Sequence, residues 1–304
     1  MTFGREADEK TSFDIMDYYA AQGGTFLDTA DAYSVGITEQ VVGRWLASRK
    51  NRDGLVLATK VFGKMGEGPN DSGLSRIHIM RAVDASLKRL QTDVIDLYQV
   101  HRWDPTVPLE ETLDALDDLV RVGKVRYVGC SNFRAFQIQR ALEYSRRYGR
   151  ARFVSLQPVY NALNRSAELE LLPLCAEAGL GVLSYNPLAG GMLTGKYQRG
   201  QPLPGGSRLA AFEGYHARYY DGQAFDVVDA FLAAAREKGC TPAQLALAWT
   251  LGDSRISCPI LGARSLEQIK DSLAGSELSL SPEERAGIPA VLSGRWVGSD
   301  PVYG

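Results

Sequence analysis

Apolar residues recur at helical spacing in one stretch of the chain after another. Between those stretches lie short runs of Val, Leu, Ile and Tyr, bounded by turn-forming residues. From residue 8 onward the pattern predicts helices over 8–23, closed by Gly23 and Gly24, over 38–49 with Thr38 as a candidate N-cap, and over 75–90, 109–123, 133–149, 167–179 and 224–239. A further helix starts at Pro242, another spans 265–273, and a last turn follows Pro282. The same pattern predicts strands over 25–30, 55–62, 94–101, 125–132, 153–157, 181–187 and 256–260. A Gly-, Pro- and Arg-rich stretch over 198–222 breaks the rhythm and reads as irregular.

Seven strands, each reached through a helix, imply parallel pairing with right-handed crossovers. The expected fold class is therefore α/β, a (β/α)8 TIM barrel forming a single domain over residues 1–304, with the first strand reduced to Met1-Thr2-Phe3. A doubly wound open sheet is the alternative, disfavoured because no GxGxxG follows an early strand.

Composition narrows the function classes. With 34 Lys and Arg against 36 Asp and Glu, the net charge is -2 and no run of one sign appears, so neither nucleic acid nor a membrane surface is an expected partner. A small soluble molecule is. Cys130, Cys175, Cys240 and Cys258 are far apart with no CxxC pair, which argues against a zinc site or a disulfide framework and for buried thiols in a reducing cytosol. No uninterrupted apolar run approaches the ~18 residues of a membrane span, and the N-terminus lacks a signal-peptide core. A soluble, cytoplasmic protein is expected; its oligomeric state is not written in the sequence.

In a barrel of this kind the reactive groups sit at the C-terminal ends of the strands. Asp28 ends the strand over 25–30 and is followed by Asp31 and Tyr33. Lys60 lies near the end of 55–62, and His101 ends 94–101. A phenol, with an ordinary pKa of about 10, donates a proton near neutral pH more readily when a cation favours its anion. Lys60 is suited to supply that charge, Asp28 to hold the ammonium and His101 to orient a substrate carbonyl. His78 and His216 lack such surroundings and are read as structural.

These segments resemble the aldo-keto reductases, in tone the bacterial members and the potassium-channel β subunits, over nearly the whole chain. LDTADAY, LATK and DLYQVH are similar to the segments that carry that family's catalytic residues, which implies catalytic roles for Asp28, Tyr33, Lys60 and His101. The cofactor implied is NADPH/NADP. GKVRYVGCSNF and FVSLQPVYN imply Ser131, Asn132 and Gln157 as contacts of the nicotinamide amide. SYNPLAGGMLTGKY implies that Tyr185 stacks on the nicotinamide ring, while the backbone of Asn186, Pro187 and Leu188 and the amine of Lys196 reach the pyrophosphate.

Arg208, Gly262, Arg264, Gln268 and Asp271 are implied on the adenosine-phosphate side, Arg264 having the planar fork that suits a 2′-phosphate. Asp271-Ser272 replaces the family's usual Glu-Asn, and Asn186 stands where many members have Ser. The chain also opens inside the segment where the family's first strand ends, so the resemblance implies a shortened start. The expected activity is NADPH-dependent reduction of an aldehyde or ketone, sugar-like given the Gly-rich loop after residue 62, with Phe62, Trp103 and Tyr160 as candidate pocket walls. An NADP(H)-binding, redox-sensing accessory protein and a catalytically silent scaffold are the alternatives.

Overall fold

The computed structural model describes residues 1–288. Its contacts divide the chain into two compact units, the first formed by Met1–Leu156 with Gly262–Leu266, the second by Gln157–Leu261 with the described residues from Glu267 onward. In the first unit helices and strands alternate as α1 (Glu9–Ala21), β1 (Phe26–Asp28), α2 (Ile37–Arg49), β2 (Val56–Val61), α3 (Arg76–Leu90), β3 (Ile95–Val100), α4 (Leu109–Arg121), β4 (Val125–Ser131), α5 (Ala135–Tyr148) and β5 (Phe153–Gln157). These strands lie side by side in chain order, and the β1–β2, β2–β3 and β3–β4 pairs are parallel. Every residue of β3 is buried, as a strand covered on both faces must be.

Helix starts follow local chemistry. The Asp8 carboxylate accepts the Thr11 N–H at 2.8 Å to open α1, and the Ser75 hydroxyl accepts that of His78 at 3.3 Å to open α3. Thr38 does not cap α2, correcting the expectation. The helix starts one residue earlier, after Gly36 in the left-handed region, and the Thr38 hydroxyl donates instead to the Phe3 carbonyl at 3.0 Å.

That contact holds down the first residues, which form a turn rather than a strand. The N–H groups of Arg5, Glu6 and Ala7 all converge on the Thr2 carbonyl, with a single bridge between Phe3 and Ala7. No eighth strand occurs among the described residues.

The second unit contains α6 (Leu171–Ala178), β6 (Gly181–Tyr185), α7 (Arg208–Ala211), α8 (Glu213–Tyr219), α9 (Gly222–Lys238), α10 (Pro242–Leu251), β7 (Cys258–Ile260), α11 (Leu266–Ala274) and α12 (Pro282–Gly287). Strands β6 and β7 pair in parallel. The stretch over 198–222 is more ordered than its composition predicts, since it holds α7 and α8. His216 lies in α8 and stacks on Tyr220 at 4.8 Å between ring centres. Helix α10 opens with a reciprocal cap between Thr241 and Gln244 and carries Pro242 in its first turn, where the missing N–H costs nothing.

Cys130 and Cys175 are buried as expected, but Cys240 and Cys258 are only half-buried. Among the described residues no helix is long and apolar enough to cross a membrane.

Candidate active site

Parallel register and two-residue alternation bring three polar side chains to one face of the first unit. Asp28 pairs with Ala58 across β1–β2, and Lys60, two residues further along the same face, pairs with Gln99 across β2–β3. The Lys60 side chain is fully buried, and its ammonium donates to Asp28 Oδ2 at 2.5 Å and to the Thr29 carbonyl at 2.9 Å. The Gln99 amide donates to the other Asp28 oxygen at 3.3 Å. A buried cation is tolerable only when its donors are occupied by a charge partner and good acceptors, and those conditions are met here.

Tyr33 reaches this ammonium from the turn after β1. The Thr29 and Asp31 N–H groups extend the ladder onto the Ala58 and Lys60 carbonyls, at 2.9 and 3.1 Å, and Tyr33 N–H closes back onto the Ala30 carbonyl at 3.2 Å. Ser34, Val35 and Gly36 then take left-handed conformations in succession and launch α2. The Lys60 ammonium lies 3.4 Å from the Tyr33 hydroxyl oxygen and 5.0 Å from the ring centre. His101, the first residue beyond β3, presents its ring edge-on to Tyr33 with centres 5.7 Å apart. The four side chains expected to carry the chemistry therefore meet.

Burial, with help from the Lys60 and Arg102 charges, pushes the His101 imidazolium pKa down to about 3, so the ring is neutral near physiological pH. It keeps the one N–H it needs to donate to an oxygen acceptor.

Ser131 ends β4, and Asn132 follows in the left-handed conformation that Asn tolerates. The Asn132 amide donates to the His101 carbonyl at 3.0 Å and to the Ser131 hydroxyl at 2.9 Å. Two of the expected amide-binding residues are thus tied to the backbone that carries the imidazole. Gly262 and Arg264, also in this unit, are exposed and half-buried respectively.

The second unit holds the other expected cofactor contacts. Gln157 ends β5 and is buried. Tyr185 ends β6, and Asn186, left-handed at φ 66°, stops the strand before Pro187 and Leu188. The Asn186 amide donates to the Tyr219 hydroxyl at 2.8 Å, and its carbonyl oxygen accepts the Gly190 N–H at 2.8 Å. Lys196 lies over the Tyr197 ring at 5.1 Å, and Arg208, the first residue of α7, over Phe212 at 5.2 Å. Gln268 is exposed on α11. Asp271 accepts the Thr241 hydroxyl at 2.8 Å and the Gln244 amide at 3.1 Å, so it secures the start of α10.

The donor set fits a nicotinamide dinucleotide. In the first unit the Ser131 hydroxyl and Asn132 amide are groups of the kind that engage a carboxamide, and in the second Lys196 and Arg208 are cations of the kind that engage phosphates.

Tyr160 is not a pocket wall. It is fully buried, its hydroxyl is 2.6 Å from a Glu168 oxygen and 3.1 Å from one of Asp253, and Arg285 donates to it at 2.5 Å. Trp103 packs edge-on against Phe133 at 5.4 Å, and Phe62 lies under the Arg102 guanidinium. His78 is buried, with Nδ1 2.9 Å from the Asn70 carbonyl.

Gln99 was not among the expected site residues. Its place two positions before His101, on the face of Lys60 and Asp28, is the alternation signal that marks it.

Residues 1–292 match the Aldo/keto reductase family. The chain is 39% identical over 292 residues to the uncharacterized oxidoreductase YrpG of Bacillus subtilis (strain 168), covering 93% of this chain and 87% of that protein. It is 36% identical over 300 residues to norsolorinic acid reductase B of Aspergillus parasiticus, covering 93% and 77%. A putative voltage-gated potassium channel subunit beta of Schizosaccharomyces pombe is 39% identical over 275 residues, covering 88% and 79%.

Proposed function

The chain belongs to the aldo/keto reductase family of oxidoreductases, with that family's (β/α)8 barrel as its fold class, and we propose that it reduces an aldehyde or ketone to the alcohol using NADPH, with Tyr33 as proton donor. The observation that carries this reading is the buried Lys60 ammonium, 2.5 Å from Asp28 and 3.4 Å from the Tyr33 hydroxyl. When bound, the cofactor supplies the hydride. The protein supplies the proton and the geometry.

Asp28, itself held by Gln99, and the Thr29 carbonyl fix the ammonium so that it favours the Tyr33 phenolate left after the proton has moved to the substrate oxygen. Neutral His101 donates a hydrogen bond to the same oxygen and sets its position between phenol and hydride source. Solvent then returns the proton to Tyr33. The preference for NADPH over NADH rests on Arg264, whose guanidinium suits a 2′-phosphate, and Ser131, Asn132 and Gln157 are assigned to the carboxamide. The polar, Gly-rich loop after β2, which Asp71 closes by accepting the Gly68 N–H at 2.8 Å, supports a polar, sugar-like carbonyl substrate.

Replacing Tyr33 with Phe abolishes NADPH oxidation with a test aldehyde while NADPH binding, read by fluorescence quenching, persists. Unchanged turnover overturns the assignment. The likeness to a putative channel subunit supports a second reading, a redox-sensing accessory protein with little turnover. A fall in NADPH absorbance across a panel of small aldehydes and keto sugars separates the two.

A further inference from the structure

Directly after His101 stands a cation that the proposed reaction does not use. The Arg102 guanidinium lies 4.2 Å from the centre of the Phe62 ring, a close cation–π stack between the residues that follow β3 and β2. Those two strand ends are joined, because the His101 N–H donates to the Val61 carbonyl at 2.9 Å. Phe62 is itself held, its carbonyl accepting the Gly73 N–H at 2.9 Å. Both Arg102 and Phe62 are half-buried.

Among the described residues no hydrogen bond or ion pair engages the guanidinium. The acid two positions along the same loop is spent elsewhere: Asp104 is buried, with one oxygen accepting the Leu74 N–H at 2.8 Å and the other the Thr106 N–H at 2.9 Å and hydroxyl at 2.6 Å. The other cation nearby in sequence, Lys64, pairs with Glu67 at 2.8 Å.

A guanidinium held against an aromatic ring at this distance is restrained by that contact and keeps its N–H donors for another partner. Its rotamer cost is already met, and it presents a preorganised fork. It lies close enough to His101 for its charge to help hold that ring neutral.

Building on the proposed carbonyl reduction, we propose that Arg102, braced by Phe62, is a specificity residue that recognises a carboxylate on the substrate, so that aldehyde acids and keto acids are favoured over neutral carbonyls. A carboxylate fits better than a phosphate monoester. One planar fork matches one planar carboxylate, whereas a dianion would call for a second cation, and Lys64 is already paired.

The test uses 4-carboxybenzaldehyde and its neutral counterpart 4-carbamoylbenzaldehyde with the wild type, Arg102→Gln and Arg102→Lys. Affinity is read by fluorescence titration of the full-length protein saturated with NADP, which cannot reduce either aldehyde. The wild type binds the carboxylate about tenfold or more tightly than the amide, a preference that shrinks with added salt. Arg102→Gln removes the preference while leaving the amide within twofold of its wild-type affinity, and Arg102→Lys retains part of it.

Equal affinity of the wild type for both aldehydes overturns the proposal. So does an Arg102→Gln loss shared by both, or one that falls on NADP affinity alone. NADPH oxidation is followed separately. A charge-dependent affinity without turnover keeps the subsite and removes the reductase reading, whereas turnover of both aldehydes without charge preference does the reverse.

Discussion

Asp31 sits two residues before Tyr33 and has no solvent exposure. Burial, reinforced by the Glu39 charge, raises its pKa from 3.8 to about 7, although the Ala32 and Phe62 N–H groups and Arg89 pull the other way. The unfolded chain ionises this carboxyl near 3.8, whereas the folded chain holds the proton until about 7. Between those values the folded state binds more protons, so stability falls as pH rises, by up to ~1.36 kcal/mol per unit. The penalty builds to on the order of 4 kcal/mol and levels off above pH 7.

Asp31→Asn removes the titration and keeps an oxygen for the Ala32 N–H, which Asp31 Oδ1 accepts at 2.5 Å. The assay is urea unfolding of wild type and variant between about pH 5 and about pH 8, where the difference between their stabilities moves in favour of the variant by roughly 2.5 kcal/mol. Constant effects of the substitution cancel in that comparison, as do all groups not coupled to Asp31. Parallel stability profiles across the range refute the argument.

Three further substitutions test the same scaffold. Lys60→Met strands the buried Asp28 carboxylate without its charge partner, and destabilises by about 3–5 kcal/mol while turnover is lost; a chemical-unfolding change under 1 kcal/mol speaks against the buried pair. Gly43→Ala brings a methyl to 2.3 Å from the Arg89 carbonyl oxygen where α2 meets α3, so thermal unfolding drops by an equivalent of ~1–3 kcal/mol, and an unshifted midpoint contradicts the close approach. Tyr160→Phe deletes the hydroxyl shared by Glu168, Asp253 and Arg285, and costs roughly 1–3 kcal/mol in urea unfolding, whereas a neutral result means water replaces it.

What the sequence reveals about this molecule is what depends on period. Two-residue alternation in β1, β2 and β3 was enough to gather Asp28, Lys60 and His101 at strand ends, and it also marks Gln99. Conformations that end strands early were less legible. Asn132 and Asn186 turn left-handed and shorten β4 and β6, and only their being Asn hints at it. Val35, a β-branched residue at φ 50°, gives no hint at all. The turn over Thr2–Ala7 and the pairing of Arg102 with Phe62 depend on which loops meet, and spacing along the chain does not carry that information.

The two faces of β2 show why the charges take the states they do. On one face the Lys60 ammonium and Asp28 carboxylate neutralise each other, so a charged His101 would be a buried and uncompensated cation beside Arg102; the ring therefore gives up its proton. On the other face Thr59 donates to Glu39 at 2.6 Å, and Arg89 pairs with Glu39 at 2.7 Å. That pair is already balanced, the Tyr98 hydroxyl finds no hydrogen-bond partner among the described residues, and the Ala32 and Phe62 N–H groups with Arg89 offset only part of the cost of a second buried carboxylate. Asp31 holds its proton up to about pH 7 for the reason that His101 gives one up: burial beside an already compensated pair favours the neutral form of the additional group. The only uncompensated charge among these groups is then Arg102, beside the imidazole, which gives that end of the site a positive bias toward an anionic substrate or a developing alkoxide.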